Sequence, residues 1–110
     1  MVEDLLQAKD VQQLVKALLC LENYDQSARL LTDICTAGEL KSLAQRLEVA
    51  GLLRSGYTYN QVEEMTGAST ATISRVKRFL QYGAGGYDLV LQRLEEMESG
   101  GEQSPKGAKR

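Results

Sequence analysis

Hydroxyl and cationic side chains crowd into one short stretch, Ser69-Thr70-Ala71-Thr72-Ile73-Ser74-Arg75-Val76-Lys77-Arg78. Between Ser69 and Tyr82 the charged residues are Arg75, Lys77 and Arg78, three positive and none negative. Small and hydroxyl residues let a backbone approach base edges, and Thr and Ser hydroxyls bond bases or phosphates. An alkyl group can meet a thymine methyl, and cationic groups neutralise phosphates. The chemistry on offer is nucleic-acid recognition. It must rest on this local patch, because the whole chain carries a formal net charge of −2 and a sequence pI of about 5.2.

Other chemistries lack their residues. Histidine is absent, which removes histidine-based catalysis and nearly all zinc-site patterns. Cys20 and Cys35 have no metal-type spacing and read as small apolar residues in a reducing compartment. Gly83-Ala84-Gly85-Gly86 lacks the Lys-Ser/Thr of a phosphate-binding loop. Glu95, Glu96 and Glu98 read as a solvated helix end. An enzyme is not expected, and neither a metal nor a cofactor is called for by the residues themselves. No apolar run approaches the ~18–20 residues that span a bilayer, and the acidic start Met1-Val2-Glu3-Asp4 lacks the basic region of an export signal. A cytoplasmic protein with no membrane partner is expected.

A helix can present the patch only if its other face is buried. At 100° per residue, Ile73, Val76 and Leu80 fall together, while Ala71, Ser74, Arg75, Arg78 and Tyr82 fall opposite. Ser69 or Thr70 caps this helix, which should run to about Leu80 or Gln81. Before it, Thr58-Tyr59-Asn60-Gln61 forms a capping box opening a short helix with Val62 and Met65, and Gly67 stops that helix. Short helix, glycine turn and second helix over about 58–81 make a helix-turn-helix, whose second helix enters the DNA major groove. The helix N-terminus adds amide donors toward a phosphate. The candidate DNA-binding residues are Asn60, Ser69, Thr70, Ala71, Thr72, Ser74, Arg75, Lys77 and Arg78. Two residues run against the pattern. Glu63 stands where the first helix normally carries a small residue, and Thr66 where an apolar one is usual. Glu63 and Glu64 also place negative charge on the helix that usually crosses the phosphate backbone.

The rest of the chain reads as helix too. Seventeen leucines stand against one phenylalanine and no tryptophan, and the single proline is Pro105. Val11, Leu14, Val15 and Leu18 form one stripe, widened by Leu19 and Leu21. Asn23 should cap a helix carrying Leu30, Leu31 and Ile34. Thr36-Ala37-Gly38-Glu39 is a capping box, opening a helix with Leu40, Leu43, Leu47 and Ala50 at 3-4-3 spacing, Leu53 following, and Gly56 at its end. Gly83–Gly86 reads as a flexible joint. Tyr87, Val90, Leu91 and Leu94 make a last stripe closing near Glu98. Residues 99–110 have no apolar pattern and are expected to be disordered. The expectation is an all-α protein of about six helices, one domain over 1–98 and a tail over 99–110.

Thr36 to Leu80 resembles the Trp repressor family, and most closely its small, poorly characterised relatives in Gram-positive bacteria. The resemblance rests on Leu43-Ala44-Gln45-Arg46-Leu47-Glu48-Val49-Ala50, Leu52-Leu53-Arg54-Ser55-Gly56 and Thr66-Gly67-Ala68-Ser69-Thr70-Ala71-Thr72-Ile73-Ser74-Arg75. It is strong over about 45 residues and looser over about 90. It implies an intertwined homodimer, in which N-terminal helices and the last helix interlock with a partner chain. Composition points the same way, since one 110-residue chain with surplus amphipathic stripes has a small core of its own. A two-fold dimer would set two recognition helices one DNA turn apart.

The resemblance also implies a small-molecule corepressor beside the reading head, with the ligand-pocket positions falling on Arg46, Thr72 and Arg75. Val76 replaces a glycine beside that pocket, and Phe79 replaces a serine that holds the ligand's ammonium group. Their bulk and lost polarity argue against tryptophan as the corepressor. The leading reading is a sequence-specific DNA-binding transcriptional regulator, a repressor by family. The alternative is a protein-interaction or dimerisation module whose helix-turn-helix no longer binds DNA, consistent with the acidic pI and with Glu63 and Glu64.

Overall fold

The computed structural model describes residues 2–99, which form seven helices and no strand. These are α1 (Val2–Leu5), α2 (Lys9–Leu19), α3 (Tyr24–Ile34), α4 (Ala37–Arg54), α5 (Tyr59–Thr66), α6 (Thr70–Tyr82) and α7 (Gly86–Ser99). The all-α class is as expected. The additional helix is α1, a single turn too short to give a periodic signal. Helix α6 extends to Tyr82, and α7 begins at Gly86, so the joint is only residues 83–85. Ser99, expected in the loose tail, is still helical, its hydroxyl donating to the Glu95 carbonyl at 3.0 Å. The rest of the expected tail, 100–110, lies outside the described residues.

Side chains fix the helix starts. Asn23 accepts from the Gln26 amide at 2.9 Å and opens α3. At α4 the Glu39 amide donates to Thr36 Oγ1 while the Thr36 amide donates to Glu39 Oε1, satisfying two donors reciprocally. Thr58 and Gln61 do the same for α5. Each such cap stabilises its helix by about 1 kcal/mol. The end of α4 is equally specific. Gly56 takes φ 97°, its amide donates to Leu53 and the Tyr57 amide reaches back to Leu52. That pair of bonds closes orphan carbonyls through a left-handed residue, which is why glycine stands there.

Backbone contacts divide the chain into two compact units, Met1–Lys41 and Ser42–Arg110. In the first, α2 and α3 are amphipathic, yet neither has a buried residue. Leu14, Val15 and Leu18 are about half exposed, and Leu19 more so.

The second unit holds the core. Val49 and Ala50 of α4, Val62 of α5, Ala68 of the turn, and Ile73 and Val76 of α6 are buried. Leu52, Leu53, Tyr59, Leu80, Tyr87 and Leu91 pack around them. Burying a Val or Ile side chain fully contributes about 1.5–3 kcal/mol. Arg54 also links α4 to α7, 3.3 Å from Asp88 and 3.7 Å from Glu95, but such exposed pairs contribute under about 1 kcal/mol.

Ile73→Ala should therefore lower the unfolding free energy by about 2–5 kcal/mol. Gln81→Ala, on the exposed face of the same helix, should change it by less than about 0.5 kcal/mol. Urea unfolding followed by circular dichroism checks both.

Candidate nucleic-acid interface

The geometry of α6 begins in the turn before it. Helix α5 ends at Gly67, whose φ of 73° is left-handed, and the Gly67 amide returns to the Glu63 carbonyl at 2.9 Å. Thr66, unusual at its position, organises this turn. Its hydroxyl donates to the Val62 carbonyl at 2.7 Å and accepts from the amide of buried Ala68 at 3.1 Å. The Gln45 amide group of α4 donates to the Thr66 carbonyl at 3.3 Å, tying the turn to the helix beneath. An apolar residue at 66 could make neither side-chain bond. The polar departure is thus a structural part of the turn.

Glu63 also finds a partner. It is exposed, and its Oε2 accepts from Thr70 Oγ1 at 3.2 Å, joining α5 to the first residue of α6. No small residue is needed there, because the side chain turns outward rather than between the helices.

Ser69 is the N-cap of α6, which settles the choice left open with Thr70. Its Oγ accepts from the Thr72 amide at 3.1 Å and donates to Thr72 Oγ1 at 3.1 Å. Ser69 and Thr72 are therefore engaged with each other in the cap. Ile73 and Val76 point into the core, and Leu80 is half-buried. This fixes the opposite face: Ala71, Ser74, Arg75, Arg78, Phe79 and Tyr82 line one open hollow. All six are exposed. Among the described residues, the Ser74 hydroxyl and the two guanidinium groups make no hydrogen bond or ion pair, so their donors point to solvent. Lys77 lies to one side, its Nζ 5.6 Å from the Tyr59 ring centroid, a cation–π contact that holds the ammonium against α5. Asn60 is exposed in the first turn of α5.

A second hollow adjoins the first. Leu43, Arg46, Leu47, Phe79, Ala84, Gly86, Tyr87 and Val90 line it, an apolar groove with one cation. Of the three residues expected to form a ligand pocket, only Arg46 is here. Arg75 lines the other hollow, and Thr72 is held in the cap. Arg46 makes no ion pair among the described residues, and its buried Nε has no hydrogen-bond partner. Val76 sits in the core, whereas Phe79 is half exposed and forms the wall between the two hollows. The bulk expected of Val76 and Phe79 beside a ligand thus falls in two different places, the core and this wall. Residue spacing gives no sign of the roles of Thr66, Gln45 and Tyr59, although a threonine just before a turn glycine is a recognisable turn signal.

The model of the Trp repressor protein family matches residues 9–95. That span takes in most of both units and the whole of α5 and α6. The chain belongs to the Trp repressor family. It is 50% identical over 96 residues to YerC, an uncharacterised protein of Bacillus subtilis, covering 87% of this chain and 92% of that one. A solved structure of a candidate Trp repressor from Staphylococcus aureus is 44% identical with a TM-score of 0.80, covering 86% of this chain and 95% of that one. A TrpR-like protein from Eubacterium eligens is 49% identical with a TM-score of 0.78, covering 84% and 95%. The expected resemblance to Gram-positive relatives holds. Trp repressor family members are DNA-binding regulators, and the Trp repressor itself is a reference case for helix-turn-helix docking. No helix among the described residues is long and apolar enough to cross a membrane.

Thr66→Val should remove both hydroxyl bonds and leave the Ala68 amide unsatisfied, costing about 1–3 kcal/mol. Thr66→Ser should retain most of that stability. Thermal melts of the two variants against the parent protein measure the difference.

Proposed function

We propose that this protein is a sequence-specific transcriptional regulator, a repressor in sign, which reads the DNA major groove with α6. The observation that carries the reading is the outer face of that helix. Ala71, Ser74, Arg75 and Arg78 stand exposed side by side because Ile73 and Val76 are buried on the other side. Small and hydroxyl groups lie near the helix start, where base edges are reached, and cations follow further along toward the backbone. Lys77, braced on Tyr59, and Asn60 on α5 are assigned to flanking phosphates. Ser69 and Thr72 hold the helix start in shape, so its free amides can face a phosphate.

The acting species is a homodimer in the cytoplasm, with residues 1–98 forming one DNA-binding domain completed by the partner chain. Support comes from the first unit, whose helices carry apolar stripes without burying a residue. Isolated helices of 11 residues are marginal in water and need a packed face. Val90 and Leu89 of α7, both about half exposed, add apolar surface in the second unit. The groove around Arg46 is assigned as the corepressor site, on the strength of the unpartnered Nε among apolar neighbours. Tryptophan is disfavoured as its occupant, since Phe79 offers an ammonium group no hydrogen bond and only one of the two arginines lines the groove.

Two measurements test this reading. Ser74→Ala should weaken binding to a selected site by roughly 1–3 kcal/mol and to random duplex much less. Arg78→Ala should weaken both alike and lower the salt slope by about one unit. If both variants bind as the parent does while remaining folded, α6 does not read DNA and a protein-interaction role takes its place. Light scattering should give about 24 kDa, twice the 12.1 kDa chain mass, with unfolding that depends on protein concentration. A folded monomer at micromolar concentration would contradict the dimer.

A further inference from the structure

The hydroxyls at the start of α6 are not equivalent. The proton of Ser69 goes to Thr72 Oγ1, within the cap. The proton of Thr70 goes instead to Glu63 Oε2, 3.2 Å away across the turn. An ionised carboxylate accepts hydrogen bonds and cannot donate them, so this contact holds the Thr70 proton on the Glu63 side. What Thr70 Oγ1 can offer outward is then its lone pairs. Both residues are exposed, at the edge of the face that carries Ala71 and Ser74.

We infer that Glu63 sets the polarity of Thr70, making it a reader of hydrogen-bond donors alone. This inference rests on α6 being the DNA-reading helix. In the major groove the base donors are the exocyclic amino groups, N6 of adenine and N4 of cytosine. Guanine O6 and thymine O4 are acceptors, and at the same place they would face lone pair to lone pair. Thr70 therefore favours adenine over guanine, or cytosine over thymine, at one position of each half-site. An unconstrained threonine would rotate its proton to suit either class. The carboxylate opposes non-specific binding to phosphates and in exchange removes that ambiguity, a repulsive element that sharpens choice. Glu63 touches no base in this scheme. It is a positioning residue, and Thr70 makes the contact.

The test uses the full chain and a duplex selected by it from a random library. Each adenine of the recovered site is replaced in turn by purine, which lacks the 6-amino group. Each cytosine is replaced by pyrimidin-2-one, which lacks the 4-amino group. For the parent protein, one such change per half-site should weaken binding about 5-fold, the effect of a single hydrogen bond of ordinary strength. Thr70→Val should be insensitive to that change, within about 2-fold, whereas Thr70→Ser should behave as the parent. Glu63→Gln, whose amide can donate as well as accept, should reduce the preference for amino over keto bases at that position. It should also tighten binding to random duplex, because a negative charge is gone. Equal sensitivity of Thr70→Val and the parent at every position would overturn the inference, as would an unchanged base preference in Glu63→Gln. Failure of the parent to bind any duplex at low salt would instead remove the DNA-binding reading, and this inference with it.

Discussion

The burial of Ile73 and Val76 against Val49, Ala50 and Val62 is the contact on which the rest depends. A helix has two sides, and fixing one in a core fixes what the other shows. Among the described residues the core is small, with few side chains fully out of water. The orientation of α6 is therefore set by few apolar contacts and reinforced by directional bonds at its start. Those bonds all fall between residues 62 and 72: Thr66 with Val62 and Ala68, Thr70 with Glu63, Ser69 with Thr72. Apolar packing supplies most of the free energy, and the hydrogen bonds supply the angle.

Much of this was legible in the sequence because the signals are local. Asn23, Thr36 and Thr58 act within four residues of themselves, and their caps stand where residue type alone put them, whereas at α6 residue type left Ser69 and Thr70 open and Ser69 is the cap. The two faces of α6 follow from helical periodicity, so Ile73 and Arg75 could be sorted without coordinates. The contacts that periodicity cannot show are those between elements. Nothing in the spacing says that Glu63 meets Thr70, that Lys77 lies over Tyr59, or that Gln45 reaches the Thr66 carbonyl. Glu63 and Thr66 looked like departures because the expected pattern assumes an apolar, close-packed turn. Here the same turn is held by side-chain oxygens.

Electrostatics and hydrogen bonding divide labour along α6. The polar groups nearest the turn, Ser69, Thr70 and Thr72, are all partnered within the protein, and beyond them Ser74, Arg75 and Arg78 face outward. A negative overall charge does not conflict with such a face. Between Ser69 and Tyr82 every charge is positive, so the patch stands out locally against a remainder of the chain that sums negative.

Phe79 belongs to both hollows at once, bordering Arg75 and Arg78 on one side and Arg46 with Tyr87 on the other. A shared wall has a cost in heredity. Any mutation at this codon alters two surfaces together, so a change selected for one is screened by its effect on the other. The two surfaces cannot drift apart through residue 79. Diversification of either must instead come through positions seen by one side only, Ser74 and Tyr82 on the first and Leu43 and Val90 on the second.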